Sequence, residues 1–149
     1  KGGMVFVSIT RLRVRSWRFM PAFFLHARRI IAQTGRAEGF VRGSLLRDRK
    51  LTFWTMTLWR DQADMKRYMA SGAHLKAMPR LSRWCDEASV VHWTQDDAAA
   101  PDWREADRRM REAGRPSKVR HPSADHQNLT YAAPRTSGAV AIRPVRARR

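Results

Sequence analysis

Cysteine is nearly absent from this chain of 149 residues: Cys85 is its single copy, so no internal disulfide can form. Long apolar runs are also missing. The longest, residues 19–25, is interrupted by Pro21 and is far shorter than the roughly 18 residues of a membrane span. No secretory leader pattern opens the sequence. We therefore expect a cytoplasmic protein whose natural start is Met4, with residues 1–3 as a leftover.

Acidic residues are scarce in this chain. The 13 Asp and Glu are outnumbered by 30 Lys and Arg, of which 25 are Arg, and the net charge is +17. Such Arg usage can reflect the base composition of a genome, and a basic face is often simply solvated. A field of this sign also concentrates anions, so an anionic partner (nucleic acid, a phosphorylated ligand or acidic lipid) is the alternative.

Glycine and proline are also few, with 8 and 7 copies, whereas 43% of the residues are apolar and six are Trp. This composition indicates a globular protein with a real core, and the length suffices for one domain plus an extension. Apolar periodicity is clear up to Thr94 and weak beyond it. We therefore predict a folded core at residues 4–94 and an extension at residues 95–149.

The first half of the core predicts a strand, a helix and a hairpin. Residues 4–14 are rich in Val, Ile and Thr and predict a strand. Ser16 is a suitable helix cap, Pro21 suits a first helical turn, and an apolar stripe at helical spacing follows. Residues 40–47 and 51–59 then predict two strands joined by a tight, charged turn.

The second half of the core predicts more helix and a last strand. Asp61 with Asp64 resembles a capping box, which starts a helix. A further helical stretch at residues 73–85 must be kinked or restarted by Pro79. Residues 88–94 predict the last strand.

The predicted order β-α-β-β-α-β is that of ferredoxin-like α+β folds, with a four-stranded antiparallel sheet and helices on one face. The strands at residues 4–14 and 51–59 carry apolar residues on both faces, so the second face also needs a cover. The chain offers too few other elements to provide one. We therefore predict a homodimer in which two sheets pair face to face across a two-fold axis.

The extension has a weaker pattern. Asp102 and Glu105 resemble a capping box and predict one amphipathic helix at about residues 102–113, packed on the core or on a partner subunit. From Arg115 onward Pro, Ser, Arg and Ala dominate without a period. Residues 115–149 are therefore expected to form a largely irregular or disordered, Arg-rich arm.

A strand-to-helix motif in the core is similar to that of a known family. Trp59-Arg60-Asp61 ends the strand, and the helical stretch then carries Met65, Tyr68, Ser71 and His74. This pattern resembles the antibiotic-biosynthesis-monooxygenase-like superfamily, of which the chain looks like an uncharacterised branch, over residues 4–94. The resemblance implies a dimeric α+β barrel. Members of that superfamily include cofactor-free oxygenases of polycyclic aromatics, haem-degrading enzymes, isomerases and proteins without known activity.

The haem-degrading members use an Asn on the first strand, a Trp on the second helix and a His further along it. Here the first strand has no Asn, Tyr68 stands in place of the Trp, and Met78 stands in place of the His. His74 lies one turn earlier. The resemblance therefore argues against haem degradation by that mechanism. No cofactor is required by the sequence, and haem or another flat ligand stays open as an occupant of the cavity.

We predict an apolar cavity between sheet and helices in which a hydrophobic or aromatic small molecule is bound or oxidised. His74 and Tyr68 are the candidate catalytic residues, since an imidazole can accept or donate a proton near neutral pH and a phenol can orient a ligand. Each could instead be structural. The candidate lining residues are Trp54, Trp59, Met65 and Met78. His26 and His92 have no partner at metal-ligand spacing and are interpreted as structural, and no metal site is predicted.

A right-handed first crossover would bring the C-terminal ends of the first two strands to one edge of the sheet. We predict a basic rim there, formed by Arg13, Arg15, Arg18, Arg47, Arg49 and Lys50, with Arg11 beside it. The rim supports the alternative hypothesis, a non-catalytic protein that binds an anionic partner and could hold phosphate backbones. The aromatic residues fall mostly on stripes predicted to be buried, which disfavours a nucleic-acid stacking platform.

Overall fold

The computed structural model describes residues 4–145, so residues 1–3 lie outside the description. The strands are β1 (Val5–Val14), β2 (Phe40–Arg47), β3 (Thr52–Trp59), β4 (Cys85–Gln95), β5 (Arg115–Pro116) and β6 (Val140–Ile142). The helices are α1 (Met20–Arg36), α2 (Gln62–Met69), α3 (Gly72–Trp84) and α4 (Trp103–Ala113), and a 3-10 turn (Trp17–Phe19) precedes α1. The predicted α+β class is confirmed. Among residues 4–145, no helix has the length and apolarity that a bilayer crossing requires.

Short polar side chains explain where two of the helices begin. Asp61 accepts a hydrogen bond from the Asp64 amide at 2.9 Å, and Asp102 plays the same part for α4. Each satisfies an N–H group that a helix start leaves without a partner. Pro79 lies inside α3, which continues through it, so the predicted restart is wrong. Proline removes a hydrogen bond to Leu75, which lies on the exposed side of the helix.

All neighbouring strands run antiparallel, in the order β5-β4-β1-β3-β2-β6. The four inner strands are those that the sequence predicts. The prediction of a four-stranded sheet is nevertheless wrong, because two short strands of the extension pair with its outer edges. β5 pairs with Ser89 and Val90, and β6 pairs with residues 43–45. Pairing through main-chain atoms needs no apolar alternation, which is why periodicity does not reveal these strands.

The helices α1, α2 and α3 cover one face of the sheet, called here the helix face. Phe6 of β1 and Trp59 of β3 lie on this face and pack in one cluster with Tyr68 of α2. At the other end of β1, Val14 packs in a second cluster with Phe23 of α1. The chain therefore buries this side of the sheet with its predicted core helices.

The opposite face, called here the extension face, is covered by the chain itself. Trp103, Ala106 and Met110 of α4, together with Tyr131, form one buried cluster with Trp54 and its strand neighbours. The helix α4 therefore packs on the core, which is one of the two placements predicted for it. The premise of the predicted homodimer, that the chain lacks a cover for this face, is wrong, because α4 presents an apolar stripe at i, i+3 and i+7. Face-to-face pairing of two sheets remains a prediction without that support.

The segment after α4 packs on the core. His126 accepts a hydrogen bond from the Ala88 amide at 3.3 Å, and the Asp48 carboxylate accepts one from the Arg135 amide at 3.1 Å. The described part of residues 115–149 is mostly irregular, one of the two states predicted for it, and it packs on the core. Single contacts of this kind leave no periodic pattern in the sequence. The last four residues lie outside the description.

Candidate functional site

A band of polar side chains crosses the middle of the helix face. Side chains alternate along a strand, so every second residue of β1 and β3 lies on the side of α1, α2 and α3. Ser8 stands opposite Thr57 on one side and His92 on the other, and Thr10 stands opposite Thr55. We call these five residues the polar band.

The polar band lies beneath the helices but is not sealed by them. Ser8 and Thr57 are buried, whereas Thr10, Thr55 and His92 are partly exposed. Because β1 and β3 are inner strands, this exposure means that the helices leave part of this face of the sheet open. Hydroxyl and imidazole groups on an otherwise apolar face can bind the polar atoms of a small molecule.

The polar band is absent from the predicted site residues because Val, Ile, Phe and Trp dominate the composition of β1 and β3 and obscure it. The signal lies in the spacing. Ser8 with Thr10, and Thr55 with Thr57, repeat at i and i+2 between larger apolar residues. Two such repeats on neighbouring strands, with His92 on a third, indicate one polar patch.

Packed aromatic rings connect the two predicted catalytic residues with the polar band. The ring centres of Trp59 and Tyr68 are 4.9 Å apart, and those of Tyr68 and His74 are 5.1 Å apart. Phe6 packs in the same cluster as Trp59 and Tyr68, and its ring lies 5.3 Å from that of His92. A continuous series of rings therefore joins His74 on α3 to the polar band on β4.

Burial sets the protonation of these groups. It raises the pKa of Tyr68 to about 12, against the opposing effect of a hydrogen bond with Thr34, so the phenol stays protonated at neutral pH. Burial lowers the pKa of His74. Burial, followed by the charge of Arg115, lowers the pKa of His92. Both imidazoles are therefore neutral at neutral pH.

Neighbouring groups fix the position and the tautomer of His74. Its Nδ1 lies 3.3 Å from the Met69 carbonyl oxygen, which can only accept, so Nδ1 carries the proton and Nε2 has the free lone pair. The Gln33 side chain accepts a hydrogen bond from the His74 amide at 2.8 Å and donates one to the Ser71 carbonyl at 2.8 Å. Through Gln33, α1 holds the start of α3 in place.

Tyr68 also lines a groove of 760 Å³ between α1 and α2 that is open to solvent. The groove walls include Arg29, Arg36 and Arg67, and Arg67 donates to the Asp64 carboxylate of the wall at 2.6 Å. Its walls are therefore charged. This groove differs from the apolar cavity that the sequence predicts.

The other predicted lining residues are dispersed. Trp59 and Met65 are buried with Tyr68 in the core of the helix face. Trp54 is fully buried on the extension face, and Met78 is 45% exposed on α3, so neither belongs to this cluster. Because Met78 occupies the place of the histidine of the haem-degrading proteins, the residues present do not fit haem held in that pattern.

The basic rim is partly neutralised by two acidic residues of β4. The Glu87 carboxylate lies 2.5 Å from the Arg11 guanidinium and 2.9 Å from that of Arg13, and Asp86 lies 3.4 Å from Arg13. Arg11 is buried and belongs to the core. The remaining cations of the rim are Arg15, whose Nε donates to the Arg83 carbonyl at 2.7 Å, and the exposed Arg18, Arg47, Arg49 and Lys50.

A family match covers most of the chain. Residues 19–118, about two thirds of the sequence, match a family described as a domain of unknown function (DUF3291). No curated protein matches the chain.

Solved structures share the fold. A candidate antibiotic biosynthesis monooxygenase from Nitrosomonas europaea is similar at a TM-score of 0.57 and 18% identity, over 67% of this chain and 97% of that protein. A protein from Mycobacterium tuberculosis is similar at a TM-score of 0.57 and 14% identity, over 64% of this chain and 99% of that protein. A protein described as an antibiotic biosynthesis monooxygenase is similar at a TM-score of 0.54 and 16% identity, over 64% of this chain and 99% of that protein. The predicted resemblance is therefore confirmed as a likeness of fold. The part of this chain that these structures do not cover is close in length to the extension, residues 95–149.

Proposed function

The chain belongs to the DUF3291 family, and we propose that it is a monooxygenase-like protein that binds and oxidises a hydrophobic aromatic small molecule in the cleft over the polar band. The observation that supports this proposal is the polar band itself, a row of five polar side chains on the helix face, with Trp59 between Thr57 of the band and the ring of Tyr68. The shared fold supports the proposal, but a fold of this kind serves many activities.

The two imidazoles are the candidate bases. His74 has its free lone pair on Nε2, and both His74 and His92 are neutral at neutral pH, so either can take a proton from an acidic carbon or hydroxyl. The phenol of Tyr68 stays protonated and, at 2.7 Å from the Thr34 hydroxyl, is held in one orientation. Tyr68 is therefore a positioning residue for His74 in this proposal.

A suitable substrate is a polycyclic aromatic that carries an acidic CH₂ group between two rings. Loss of one proton to a histidine gives an electron-rich carbanion, which reduces O₂. One oxygen atom ends in the new carbonyl group that replaces the CH₂, and the other leaves as water with the two hydrogens. The substrate supplies the electrons, so the balance requires no reductant. The polar band would hold the oxygen substituents of the rings.

Oxygen uptake in the presence of anthrone-type tricyclic compounds tests the oxidation. We expect His74→Gln or His92→Gln to lower the rate by about 100-fold or more, because removal of a positioned base typically costs that much. The exposed His121 provides the matched control, and His121→Gln should leave the rate unchanged. Absence of uptake by the unaltered protein, or equal loss in all three variants, would contradict the proposed oxidation.

Binding can be tested apart from oxidation. Native mass spectra and absorbance spectra of the protein as purified, before and after addition of haem or an anthrone-type compound, report an occupied cleft. Thr55→Leu adds bulk within the polar band and should abolish the bound mass. Binding that Thr55→Leu removes, without oxygen uptake, would identify a non-catalytic small-molecule binder. No binding and no uptake would leave the alternative function, the anionic partner of the basic rim.

A further inference from the structure

An exposed tryptophan lies at the end of the sheet that carries the basic rim. Trp17, in the 3-10 turn directly after β1, is 68% exposed. Trp17 is therefore an exception to the expectation that the aromatic residues fall mostly on buried stripes. A single exposed apolar residue is common, but this one is followed directly by the exposed Arg18.

Main-chain contacts bring the β2–β3 turn to the same place. The Val14 amide at the end of β1 donates to the Leu51 carbonyl at 2.9 Å, which joins the start of the Trp17 turn to the turn that carries Arg49 and Lys50. Lys50 and Leu51 both have positive φ, so the turn is sharply bent. Trp17, Arg49 and Lys50 therefore belong to one end of the molecule.

The third segment of this surface is the first half of α1. The ring of Phe24 lies 6.1 Å from that of Phe53, which is the register partner of Arg47 on β2. Arg18, next to Trp17 in sequence, lies 4.7 Å from the centre of the Phe19 ring, a cation–π distance that holds its guanidinium in place. An exposed aromatic ring and a set of cations thus share this end of the molecule.

Asp48, the acidic residue nearest to the outer cations in sequence, is buried and accepts hydrogen bonds from the Trp54 indole and from two main-chain amides. In the stretch from Met4 to Val145, Arg18, Arg47, Arg49 and Lys50 are exposed and take part in none of the ion pairs. Arg13, by contrast, is already paired with Glu87. The unpaired set is therefore available to a ligand with several negative charges.

We propose that the surface formed by Trp17, Arg18, Arg47, Arg49 and Lys50 binds single-stranded nucleic acid. The cations would contact successive phosphates, and the Trp17 ring would stack on a base that is not paired. Every base has a face that can stack, so the binding is expected to tolerate many sequences. A duplex would bind less tightly, because its bases are already stacked on each other.

An anionic bilayer is disfavoured as the partner. Binding in a membrane interface requires several apolar side chains that enter the headgroup region together. On this surface Trp17 is more than half exposed, whereas Phe24 and Leu25 keep over half of their surface packed at 46% and 48% exposure. The cations therefore outweigh the insertable apolar area, which favours a ligand that carries phosphates and flat rings.

The test is fluorescence anisotropy of a labelled oligothymidylate, titrated with the protein at increasing salt concentration. We expect Trp17→Ala to weaken binding by about 5- to 100-fold, since one stacked base contributes that much. The triple variant Arg47→Gln, Arg49→Gln, Lys50→Gln should reduce the slope of log K against log salt by about 2, at roughly 0.7 per lost phosphate contact. Trp17 is mostly in water, so circular dichroism of Trp17→Ala should be that of the unaltered protein.

A matched triple variant removes the same charge from the opposite end of the sheet, at the exposed Arg36, Arg42 and Lys66. It should bind nearly as the unaltered protein does. Equal losses in the two triple variants would show attraction by net charge alone and overturn the proposal. Unchanged affinity in Trp17→Ala, no saturable binding, or binding to phosphatidylserine vesicles without binding to the oligonucleotide would also overturn it. None of these residues belongs to the polar band, so oxygen uptake tests the cleft independently.

Discussion

The guanidinium carbon of Arg11 lies 3.9 Å from the centre of the Tyr131 ring and so joins β1 to the segment after α4. The charge of the buried Arg11 is balanced by one oxygen of Glu87, 2.5 Å away. The other oxygen of Glu87 accepts a hydrogen bond from the Ser123 hydroxyl at 2.7 Å. A cation inside the protein therefore depends on groups from both the sheet and the extension.

Glu87→Gln should lower the free energy of unfolding by about 3–5 kcal/mol, because it leaves the Arg11 charge buried without its counterion. Urea denaturation measures the change. Glu112→Gln is the matched control, since Glu112 pairs with Arg108 on the exposed side of α4 and such a pair contributes only about 0–1 kcal/mol. Similar losses in the two variants would contradict a structural role for the buried pair.

Acid should weaken the fold through its histidines. Burial lowers the pKa of His74 and of His92 from the ordinary value of 6.5, so the unfolded chain takes up these protons first. Their contribution to stability is complete above pH 6.5 and is lost as the pH falls from there through the folded-state values. Urea midpoints across this range should therefore drop, and the double variant His74→Gln, His92→Gln should show a shallower drop. An unchanged slope in the double variant would contradict this account.

Two glycines with positive φ allow the cost of a steric clash to be measured apart from the cost of a strained backbone. Gly39 (φ +83°) faces the Asp64 carboxylate so closely that an added Cβ would clash with it, whereas an added Cβ at Gly138 (φ +86°) meets no atom within 4 Å. Gly138→Ala should cost about 1–2 kcal/mol for the left-handed backbone alone. Gly39→Ala should cost more, because Asp64 must also leave its arginine partners. Thermal or urea unfolding of both variants gives the difference, and equal costs would refute the clash.

A single substitution in α4 should uncover the extension face of the sheet. Met110 is fully buried between α4 and the sheet, so Met110→Asp should release α4 and expose the apolar surface around Trp54. We expect the sedimentation coefficient of this variant to rise with protein concentration as exposed sheet faces associate. Met78→Asp, at an exposed position of α3, should not show this rise. A Met110→Asp variant that remains folded and sediments as the unaltered protein does would contradict this role of α4.

Local patterns account for the elements that the sequence predicts well. Asp61 and Asp102 cap helices through hydrogen bonds that span only three residues, and alternation in β1 and β3 sets the faces of Trp54 and Trp59. The predictions fail where one contact joins distant segments. Tyr131 is buried because it meets Arg11, and nothing near Tyr131 in the sequence announces that partner.

The candidate site also combines residues that the sequence indicates with residues that only the structure brings together. The family resemblance indicates Tyr68 and His74 as candidate site residues, and in the structure their ring centres lie 5.1 Å apart. The i and i+2 spacing of the hydroxyl residues is visible in the sequence, but only the register of three strands places Ser8, Thr57 and His92 in one row. The exposure of Trp17 is likewise known only from the structure, because no pattern around this residue indicates on which side of the chain its ring lies.

The pairing of β6 with β2, in which Ile142 meets Gly43, has a consequence for the nascent chain. On the ribosome the hairpin of β2 and β3 leaves the exit tunnel long before Ile142 does. Throughout that interval the outer edge of β2 is open, and an open edge can pair with strands of other chains. The hairpin is therefore exposed to misassembly until β6 pairs with it.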